Sequence, residues 1–341
     1  MLVGRHPLVK ILLQTNRLGA GVGGAETVAL LLVLGLRELG HEIKVVTETD
    51  GGAIAAAGVG IYRQPSAFAY LSLVRWCDVL VPSEIELGQV WPLLVHRRPW
   101  TLLFASAQDD GEAATPGFAT KLALGKAAEE NAPPASSLFG SPYADDIFRL
   151  QAGVSRDHDF IVAGRLVPEK GVQVAIEALH RLHQRGYVQT RLTVAGEGPY
   201  LSELVALVEK LGLQNAVEFT GNKSPEELAR LFNRHRILIV PTLVPSAFGL
   251  TALEGMACGC FVVASDQGKL KEIVGPGGVA FAAGDVEALA KILQIHLDRP
   301  EVKETYLKAA PAQVARYSRA SLLPAYVDYL EKAMGQRQAR P

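Results

Sequence analysis

The chain has 341 residues, of which 49% are hydrophobic and 20% are charged, and its formal net charge is −1. These values indicate a folded protein of about two domains and argue against a disordered chain. The balanced charge gives no support to a nucleic-acid partner, because proteins that track phosphates usually carry a basic excess or a basic stripe.

The cysteines and the hydropathy pattern bear on metal content and compartment. Cys77, Cys258 and Cys260 form no even disulfide framework, and the last two are too close in sequence for the usual zinc spacing. We therefore expect no metal and a reducing cytoplasm. Gln14 interrupts the first apolar run before a signal-peptide core forms, and the longest apolar stretch, residues 28–36, is shorter than the ~20 residues of a membrane span. A peripheral contact with the cytoplasmic face of a membrane stays open.

The first half of the chain begins with the pattern of a strand, a turn and a helix. The strand signal is "VKILLQT", the turn is the glycine-rich "GAGVGGAE", and apolar residues at helical spacing follow up to Gly40. "IKVVTE" repeats the strand signal, and weaker strand signals occur at "CDVLVPS", "WTLLFAS" and "SSLFGS". Residues 108–117 are polar and contain glycine, which predicts a loop.

The second half alternates short β-branched runs with helical segments. The predicted strands are "FIVAG", "RLTVAG", "VEFTG", "ILIVP" and "FVVAS", and the predicted helices between them include "VQVAIEALHRLHQRG", "YLSELVALVEKLG" and "PEELARLFNRH". Ser224 and Glu227, with Pro225 at the first helical position, fit a capping box that fixes one helix start. The alternation predicts βαβ units and a parallel sheet with helices on both faces.

Because the same rhythm occurs in both halves, we predict an α/β protein with two doubly wound Rossmann-like domains facing a central cleft. The predicted domains are residues 1–150 and 157–318. A final amphipathic helix, residues 319–335, is long enough to return to the first domain. The cleft is the expected site, since ligands of such sheets bind outside the carboxyl ends of the strands.

Two cations and several glycines follow predicted strands. "AGRLVPEKG" places Arg165 just after a strand and Lys170 before the next helix, where both can flank one phosphate group. Glycines in "GGAE", "AGEGP" and "FTGN" allow the backbone to approach a ligand closely, although a tight turn explains each of them alone. Either cation can also be an ordinary surface charge.

Glu254, in "PSAFGLTALEGMACG", has two interpretations. An acid in the first turn of a helix is stabilised by the helix dipole by ~0.3–1 kcal/mol without any function. The functional interpretation is a carboxylate that accepts hydrogen bonds from the hydroxyls of a ribose. The acid pair of residues 157–159 has metal-like spacing, but it precedes a strand at the domain junction, so we expect no metal there.

The ordered set "GRLVPEKG", "VAGEGP", "VEFTGN", "PTLVPSAFGLTALEGMACG" and "FVVASDQGKLKEIVG" resembles the donor domain of family-4 retaining glycosyltransferases, which have the B-type architecture of two Rossmann-like domains. The resemblance is strong from about residue 158 to 297 and weaker in the first half, through "GGAETVALLLVLGLRELGHEIKVVT" and "SPYADDIFR". It implies that residues 157–318 bind a nucleotide-sugar donor and that residues 1–150 bind the acceptor.

The resemblance implies a reaction and a set of residues. The reaction is a metal-independent hexosyl transfer, with retention of configuration and no further cofactor, from a nucleoside diphosphate sugar to a hydroxyl of a glycan, lipid or small metabolite. Arg165 and Lys170 would stabilise the charge that grows on the leaving diphosphate. The implied donor-binding residues are Gly23, Gly24, Gly196, Glu197, Asn222, Ser246, Phe248, Gly249, Leu250 and Glu254.

Two departures from the family pattern leave an alternative open. Ser246 stands where the family has the first of two glutamates, and Asp109 is the candidate for a position where many members have a histidine. In the family the first glutamate contacts the transferred sugar and the histidine lies near the reaction centre, whereas the glutamate matched by Glu254 contacts the nucleotide. The alternative is therefore a catalytically weak or inactive nucleotide-binding partner subunit of the same fold. A dinucleotide-dependent oxidoreductase is disfavoured, because the motifs of the second half have no place in that scheme.

Overall fold

The computed structural model describes residues 7–15, 24–48, 58–83, 87–103, 140–245 and 248–335. The chain divides into two compact units, one formed by Met1–Pro142 with Arg319–Pro341 and the other by Tyr143–Ser318. The division between the units falls at residue 142, whereas the sequence predicted an end of the first domain at residue 150.

The first unit is built on a parallel sheet of four strands in the order β3-β2-β1-β4. Its elements are β1 (Lys10–Gln14), α1 (Gly24–Glu38), β2 (Glu42–Thr47), β3 (Gly60–Arg63), α2 (Ala67–Trp76), β4 (Val79–Pro82), α3 (Leu87–Val90) and a 3₁₀ turn (Trp91–Leu94). The predicted strand "WTLLFAS" contributes one parallel bridge, between Leu80 and Trp100, before it leaves the described residues.

The C-terminal helix belongs to the first unit and packs on α1. A Cβ atom on Gly35 would lie 2.5 Å from the Leu323 Cδ1 atom, so a larger residue at position 35 would require the Leu323 side chain to move. Tyr326 is fully buried, and its hydroxyl donates a hydrogen bond of 2.7 Å to the Gly140 carbonyl. The polar end of this large side chain is therefore satisfied inside the core.

The second unit is built on a parallel sheet of six strands, covered by helices. Its elements are β5 (His158–Ala163), a 3₁₀ turn (Pro168–Lys170), α4 (Val172–Gln184), β6 (Leu192–Ala195), α5 (Leu201–Lys210), β7 (Val217–Gly221), α6 (Pro225–Arg234), β8 (His235–Val240), α7 (Leu250–Ala257), β9 (Phe261–Ser265), α8 (Leu270–Val274), a 3₁₀ turn (Gly275–Gly277), β10 (Gly278–Phe281), α9 (Val286–Asp298) and α10 (Val302–Ala315). The last helix of the chain, α11 (Arg319–Gly335), is the one that packs in the first unit. The predicted capping box of α6 is present.

The strand order of the second sheet is β10-β9-β8-β5-β6-β7, and all its pairs are parallel. When β5 to β10 are renumbered 1 to 6, the order read from the β7 edge is 3-2-1-4-5-6. This is the strand order of a doubly wound nucleotide-binding sheet. The prediction of an α/β protein with a parallel, Rossmann-like sheet in each half is therefore confirmed.

The segment before β5 is tied to the second unit by side-chain caps. Arg156 Nη1 donates to the carbonyls of Phe232 (3.0 Å) and His235 (2.7 Å), at the end of α6. The Asn233 side-chain oxygen accepts from the Gln151 backbone N–H at 2.8 Å. The Arg156 guanidinium adds charged donors to carbonyls at the helix end, and together with the Asn233 bond it fixes the path of residues 151–156.

Candidate functional site

The strand order of the second sheet selects one place for a ligand. β5 and β8 are neighbours, with Phe160 opposite Ile237 and Ile161 opposite Leu238, but they are not consecutive strands. The chain leaves them toward opposite sides of the sheet, which opens a crevice at their carboxyl ends. The loop after β5 carries Arg165 and Lys170, and the loop after β8 leads to Glu254.

The loop after β5 is packed against the loop after β8. Gly171 has φ of 68°, and a Cβ atom on it would lie 1.9 Å from the Pro241 carbonyl oxygen. The Glu169 carbonyl accepts two hydrogen bonds, from the Leu243 N–H (2.7 Å) and from the Thr242 hydroxyl (3.0 Å). The peptide next to Lys170 is thus held from the neighbouring strand.

A further hydrogen bond extends this support. The buried Ser265 hydroxyl, at the end of β9, donates to the Thr242 carbonyl at 2.7 Å. The loops after β5 and β8 and the end of β9 are therefore joined by hydrogen bonds to backbone carbonyls. Such bonds fix the geometry of a site without taking up its charged side chains.

The two cations lie close enough to repel each other. Partial burial of the ammonium lowers the pKa of Lys170 from its ordinary value, although much of the side chain is exposed, and the charge of Arg165 lowers this pKa further against the opposing charge of Glu169. Among the described residues no ion pair takes up either positive charge. An anion placed between them would relieve the repulsion, and a phosphate group has that chemistry.

The loops after β6 and β7 meet the loop after β5. A Cβ atom on Gly196, where φ is 145°, would lie 1.9 Å from the Gly164 carbonyl oxygen. The Glu197 carbonyl accepts from the Leu166 N–H at 2.8 Å, and the Glu197 carboxylate accepts from the Asn222 N–H at 3.3 Å. The structure therefore brings Glu197 and Asn222 to the edge of the sheet that carries Arg165 and Lys170.

Glu254 lies in the second turn of α7, not in the first. The helix begins at Leu250 after Gly249, so Glu254 is its fifth residue. The interpretation of Glu254 as a first-turn charge stabilised by the dipole is wrong, because the dipole effect fades beyond the first turn. The residue is 9% exposed, and burial raises its pKa from 4.5 to about 7. A buried acid without a compensating charge is typical of a functional position.

The remaining predicted residues are placed as follows. Phe248 and Leu250 are buried apolar side chains, and Gly249 has φ of 58° with Ile273 Cδ1 only 2.5 Å from where its Cβ would lie. Gly24 is the first residue of α1 in the first unit. Gly23, Asp109 and Ser246 lie outside the described residues.

The acid pair of residues 157–159 lies at the amino end of β5, the opposite end from the candidate site. Asp157 contacts His158 Nδ1 at 2.7 Å, and Asp159 pairs with Arg236 at 2.9 Å. In the part of the chain that the structure describes, no cluster of three or more His, Cys, Asp or Glu residues has an arrangement suited to a metal ion. No helix in this part is long and apolar enough to cross a membrane.

Sequence patterns missed Thr242 and Ser265. The available signal was their position, since each is a polar residue directly after or at the end of an apolar strand. Their partners are far away in the chain, since Glu169 and Thr242 are 73 positions apart, so no local pattern identifies the bond.

Comparison with known proteins relates the fold elements that carry this site to a family. Residues 146–313 match the family described as glycosyl transferases group 1. This segment is therefore similar to the group 1 glycosyltransferases. The match spans all six strands of the second sheet and therefore includes both switch-point loops.

Individual relatives agree with the family. Glycogen synthase of Mycobacterium tuberculosis is 35% identical over 188 residues, which cover 54% of this chain and 45% of the relative. The MMP alpha-(1->4)-mannosyltransferase of Mycolicibacterium hassiacum is 31% identical over 194 residues, covering 56% of this chain and 46% of the relative. The chain thus spans less than half the length of these two relatives.

The fold resembles solved structures over almost the whole chain. Anabaena Alr3699/HepE, in complex with UDP-glucose, has a TM-score of 0.73 at 18% sequence identity, covering 95% of this chain and 100% of that one. At this identity the likeness concerns the fold, and it extends to both Rossmann-like units.

Proposed function

We propose that the protein transfers a hexose from a nucleoside diphosphate sugar to a hydroxyl of a glycan, lipid or small metabolite. The observation that carries the proposal is the pair of Arg165 and Lys170, without described counter-ions, on a fixed loop at the switch point of a nucleotide-binding sheet. The group 1 match over the same segment supports it.

The proposed roles follow from charge. The donor diphosphate lies between Arg165 and Lys170, and Glu254 accepts hydrogen bonds from the ribose hydroxyls. When the bond from the anomeric carbon to the diphosphate oxygen breaks, the electron pair stays on that oxygen and negative charge grows there. Two preorganised cations stabilise this charge more than that of the intact donor, and so lower the barrier.

The proposed reaction retains the anomeric configuration and needs no metal. The acceptor oxygen forms its bond to the anomeric carbon on the face that the diphosphate leaves, and its proton passes to the leaving phosphate. Atoms and charge balance without a protein nucleophile. Gly196, Glu197, Asn222, Phe248, Gly249 and Leu250, with Gly23, Gly24 and Ser246, complete the proposed donor site, and Asp109 is proposed near the reaction centre.

Release of nucleoside diphosphate tests the proposal. UDP-glucose is the first donor to try, because it is the ligand of the Anabaena protein, and a panel of other nucleoside diphosphate sugars follows. We expect turnover that persists in excess chelator and a product with the anomeric configuration of the donor by NMR. Loss of turnover in chelator would contradict metal independence, and an inverted product would contradict the same-face mechanism.

The second candidate function is a nucleotide-binding partner subunit with little or no transfer. Ser246 favours it, since a neutral hydroxyl stands where the resemblance implies a carboxylate facing the sugar. Tight binding of a nucleoside diphosphate, without release from any donor, would support this candidate against the first. Turnover that Ser246→Glu diminishes would instead support an enzyme whose pocket is shaped around the serine.

A further inference from the structure

The first unit contains a pocket of its own at the carboxyl ends of β1, β2 and β3. Its volume is about 280 Å³, and its lining includes Gln14, Glu48, Gln64, Tyr70 and Trp91. Every one of these residues lies in the first unit, so the pocket is independent of the donor-site loops. Its position matches the edge at which parallel sheets bind ligands.

Gln64 is held in a strained conformation in the wall of this pocket. Its φ is +36°, and among the described residues it is the only non-glycine with positive φ. Glycine adopts such a conformation without the steric penalty that a side chain incurs. Strain of this kind concentrates at binding sites, where the side chain is used. The Gln64 side chain is exposed, and its amide has no hydrogen bond to a described residue.

Two further polar groups in the pocket are available to a ligand. The Tyr70 hydroxyl lies against the Gln14 side-chain amide and the Gln89 backbone carbonyl, and its single proton is donated to one of them. Tyr70 thus holds one end of the Gln14 amide, while the other polar atom of that amide has no hydrogen bond to a described residue, and neither has the exposed Glu48 carboxylate. The pocket thus offers two amides and one carboxylate.

This set of groups fits hydroxyls better than anions. A hydroxyl both donates and accepts, so neighbouring hydroxyls can donate to a carboxylate or amide oxygen while they accept from an amide NH₂. The Trp91 ring, edge-on to Tyr70 with centroids 6.0 Å apart, adds an aromatic surface for the C–H face of a ring. Among the described lining residues the only charge is the carboxylate of Glu48, and phosphate recognition uses cations.

We propose that this pocket binds one uncharged, polyhydroxylated sugar ring, with Gln14, Gln64 and Glu48 holding its hydroxyls. The assignment of this pocket as the acceptor subsite rests on the proposed function. Under that assignment, the acceptor is a sugar ring that carries no phosphate. The volume lies near the lower limit of small-molecule sites, which favours a single ring. The ring can belong to a free metabolite, a glycan end or a glycolipid headgroup.

Binding to the full chain without any donor tests the site. The probes are methyl α-D-glucopyranoside and methyl α-D-mannopyranoside, with glucose 6-phosphate as the anionic comparison, followed by saturation-transfer NMR and titration. We expect at least one methyl glycoside to bind, and glucose 6-phosphate to bind at least several-fold more weakly. Absence of binding by both methyl glycosides, or tighter binding of the phosphate, overturns the proposal.

Two variants locate the binding. Gln64→Gly removes the amide and relieves the positive φ, so the fold is retained, and Glu48→Gln removes the charge without changing the shape. Each is expected to weaken glycoside binding roughly tenfold, the effect of one lost hydrogen bond to a ligand. Glu42→Gln is the matched control, because Glu42 is an exposed acid at the other end of β2. Unchanged binding in both variants overturns the proposal.

The outcomes separate this site from the proposed function. If an acceptor is glycosylated and Gln64→Gly leaves its KM unchanged, the transferase stands and the site is elsewhere. If glycoside binding depends on Gln64 but no donor is turned over, the site stands and the proposed transfer falls. Glycosides joined to a lipid or to a longer glycan, used as competitors of the methyl glycoside, show which source fits best.

Discussion

At the scale of single residues, Arg165 and Lys170 are two cations whose mutual repulsion an anion would relieve. We expect Arg165→Ala and Lys170→Ala each to lower turnover roughly 10²- to 10³-fold, because each removes a preorganised charge from the leaving diphosphate. Steady-state release of nucleoside diphosphate measures the effect. Lys291→Ala is the matched control, since Lys291 is an exposed lysine on α9 of the same unit. Near-normal turnover in both Arg165→Ala and Lys170→Ala would contradict the proposal that these residues stabilise the leaving diphosphate.

Glu254 gives a prediction about nucleotide binding and pH. The pKa of about 7 means that the carboxylate, the form able to accept from a ribose, is scarce below neutrality. Wild-type affinity for the nucleoside diphosphate of the donor should therefore fall about tenfold from pH 8 to pH 6 as the competent fraction falls. Glu254→Gln should bind roughly 10- to 100-fold more weakly at pH 8, since it lacks the charged acceptor.

Titration calorimetry at several pH values measures both effects of the Glu254 substitution. The variant also serves as the control for ionisation of the nucleotide itself, because that ionisation acts on both proteins. Equal pH dependence in wild type and variant would show that Glu254 does not contact the ligand.

The sequence predicted where Arg165 and Lys170 lie in the fold, because their positions depend on local order alone. Arg165 and Lys170 follow a strand in the sequence, so the end of the sheet on which they lie is fixed once the strand is recognised. The turn of α7 that holds Glu254 was not predictable, since the helix start depends on Gly249 fitting against Ile273. Packing between distant segments decides such boundaries.

At the scale of elements, the hydrogen bond from Thr242 to the Glu169 carbonyl is expected to position Lys170. Thr242→Val keeps the volume and the β-branch but loses the donor. We expect roughly tenfold weaker binding of nucleoside diphosphate, with unchanged binding of the nucleoside, because only the phosphate-facing loop is released. Thr220→Val is the matched control, since Thr220 bonds a strand carbonyl at 3.4 Å elsewhere in the same sheet. An equal loss of affinity for the nucleoside and for the nucleoside diphosphate would indicate that Thr242→Val disturbs the whole site, not the phosphate-facing loop alone.

The contact between the two switch-point loops gives a prediction about stability. Gly171→Ala places a Cβ 1.9 Å from the Pro241 carbonyl oxygen, and should lower the free energy of unfolding by roughly 2–5 kcal/mol through strain and overpacking. Gly186→Ala is the control, because Gly186 also has positive φ but nothing lies within 4 Å of its Cβ position. It should lower the free energy by only about 1–2 kcal/mol. Urea denaturation measures the free energy of unfolding of both variants. Equal decreases would show that the loops after β5 and β8 move apart at little cost.

The elements that the sequence missed are short and flanked by glycine. β3 (Gly60–Arg63) has no fully buried residue, and β10 (Gly278–Phe281) begins with a glycine and follows Gly275-Pro276-Gly277. The strands it found, such as β8 and β9, are long apolar runs buried on both faces. Burial on both faces produces the strongest sequence signal, whereas an edge strand draws its stability from one neighbour.

At the scale of the whole molecule, the sequence predicted parallel sheets but no strand order. Parallel pairs such as β5 and β8 join residues that are far apart in the chain, such as His158 and His235, which are 77 positions apart. Nothing local encodes that pairing, so the switch point became visible only in the assembled sheet. The family resemblance could imply a set of site residues because it carries the same long-range information indirectly.

The second unit contains two buried groups whose titrations oppose each other. The pKa of Glu254 is raised from 4.5 to about 7 by burial, so its stabilising contribution is complete below pH 4.5 and is lost as the pH rises through 7. The pKa of His235 is lowered from 6.5 to about 4, again mainly by burial. Its contribution is complete above pH 6.5 and is lost as the pH falls through 4.

Each of these contributions amounts to about 3 kcal/mol, at about 1.4 kcal/mol per pKa unit, and between pH 4.5 and 6.5 their slopes cancel. Relative to wild type, Glu254→Gln should therefore gain stability with rising pH by about 1 kcal/mol per unit, and His235→Gln should lose it at the same rate. Urea titrations followed by far-UV circular dichroism measure the slopes. Tryptophan fluorescence does not replace this measurement, because Trp76, Trp91 and Trp100 all lie in the first unit. Both substituted residues lie in the second unit. A variant slope equal to that of wild type would show that the substituted group does not titrate differently on folding.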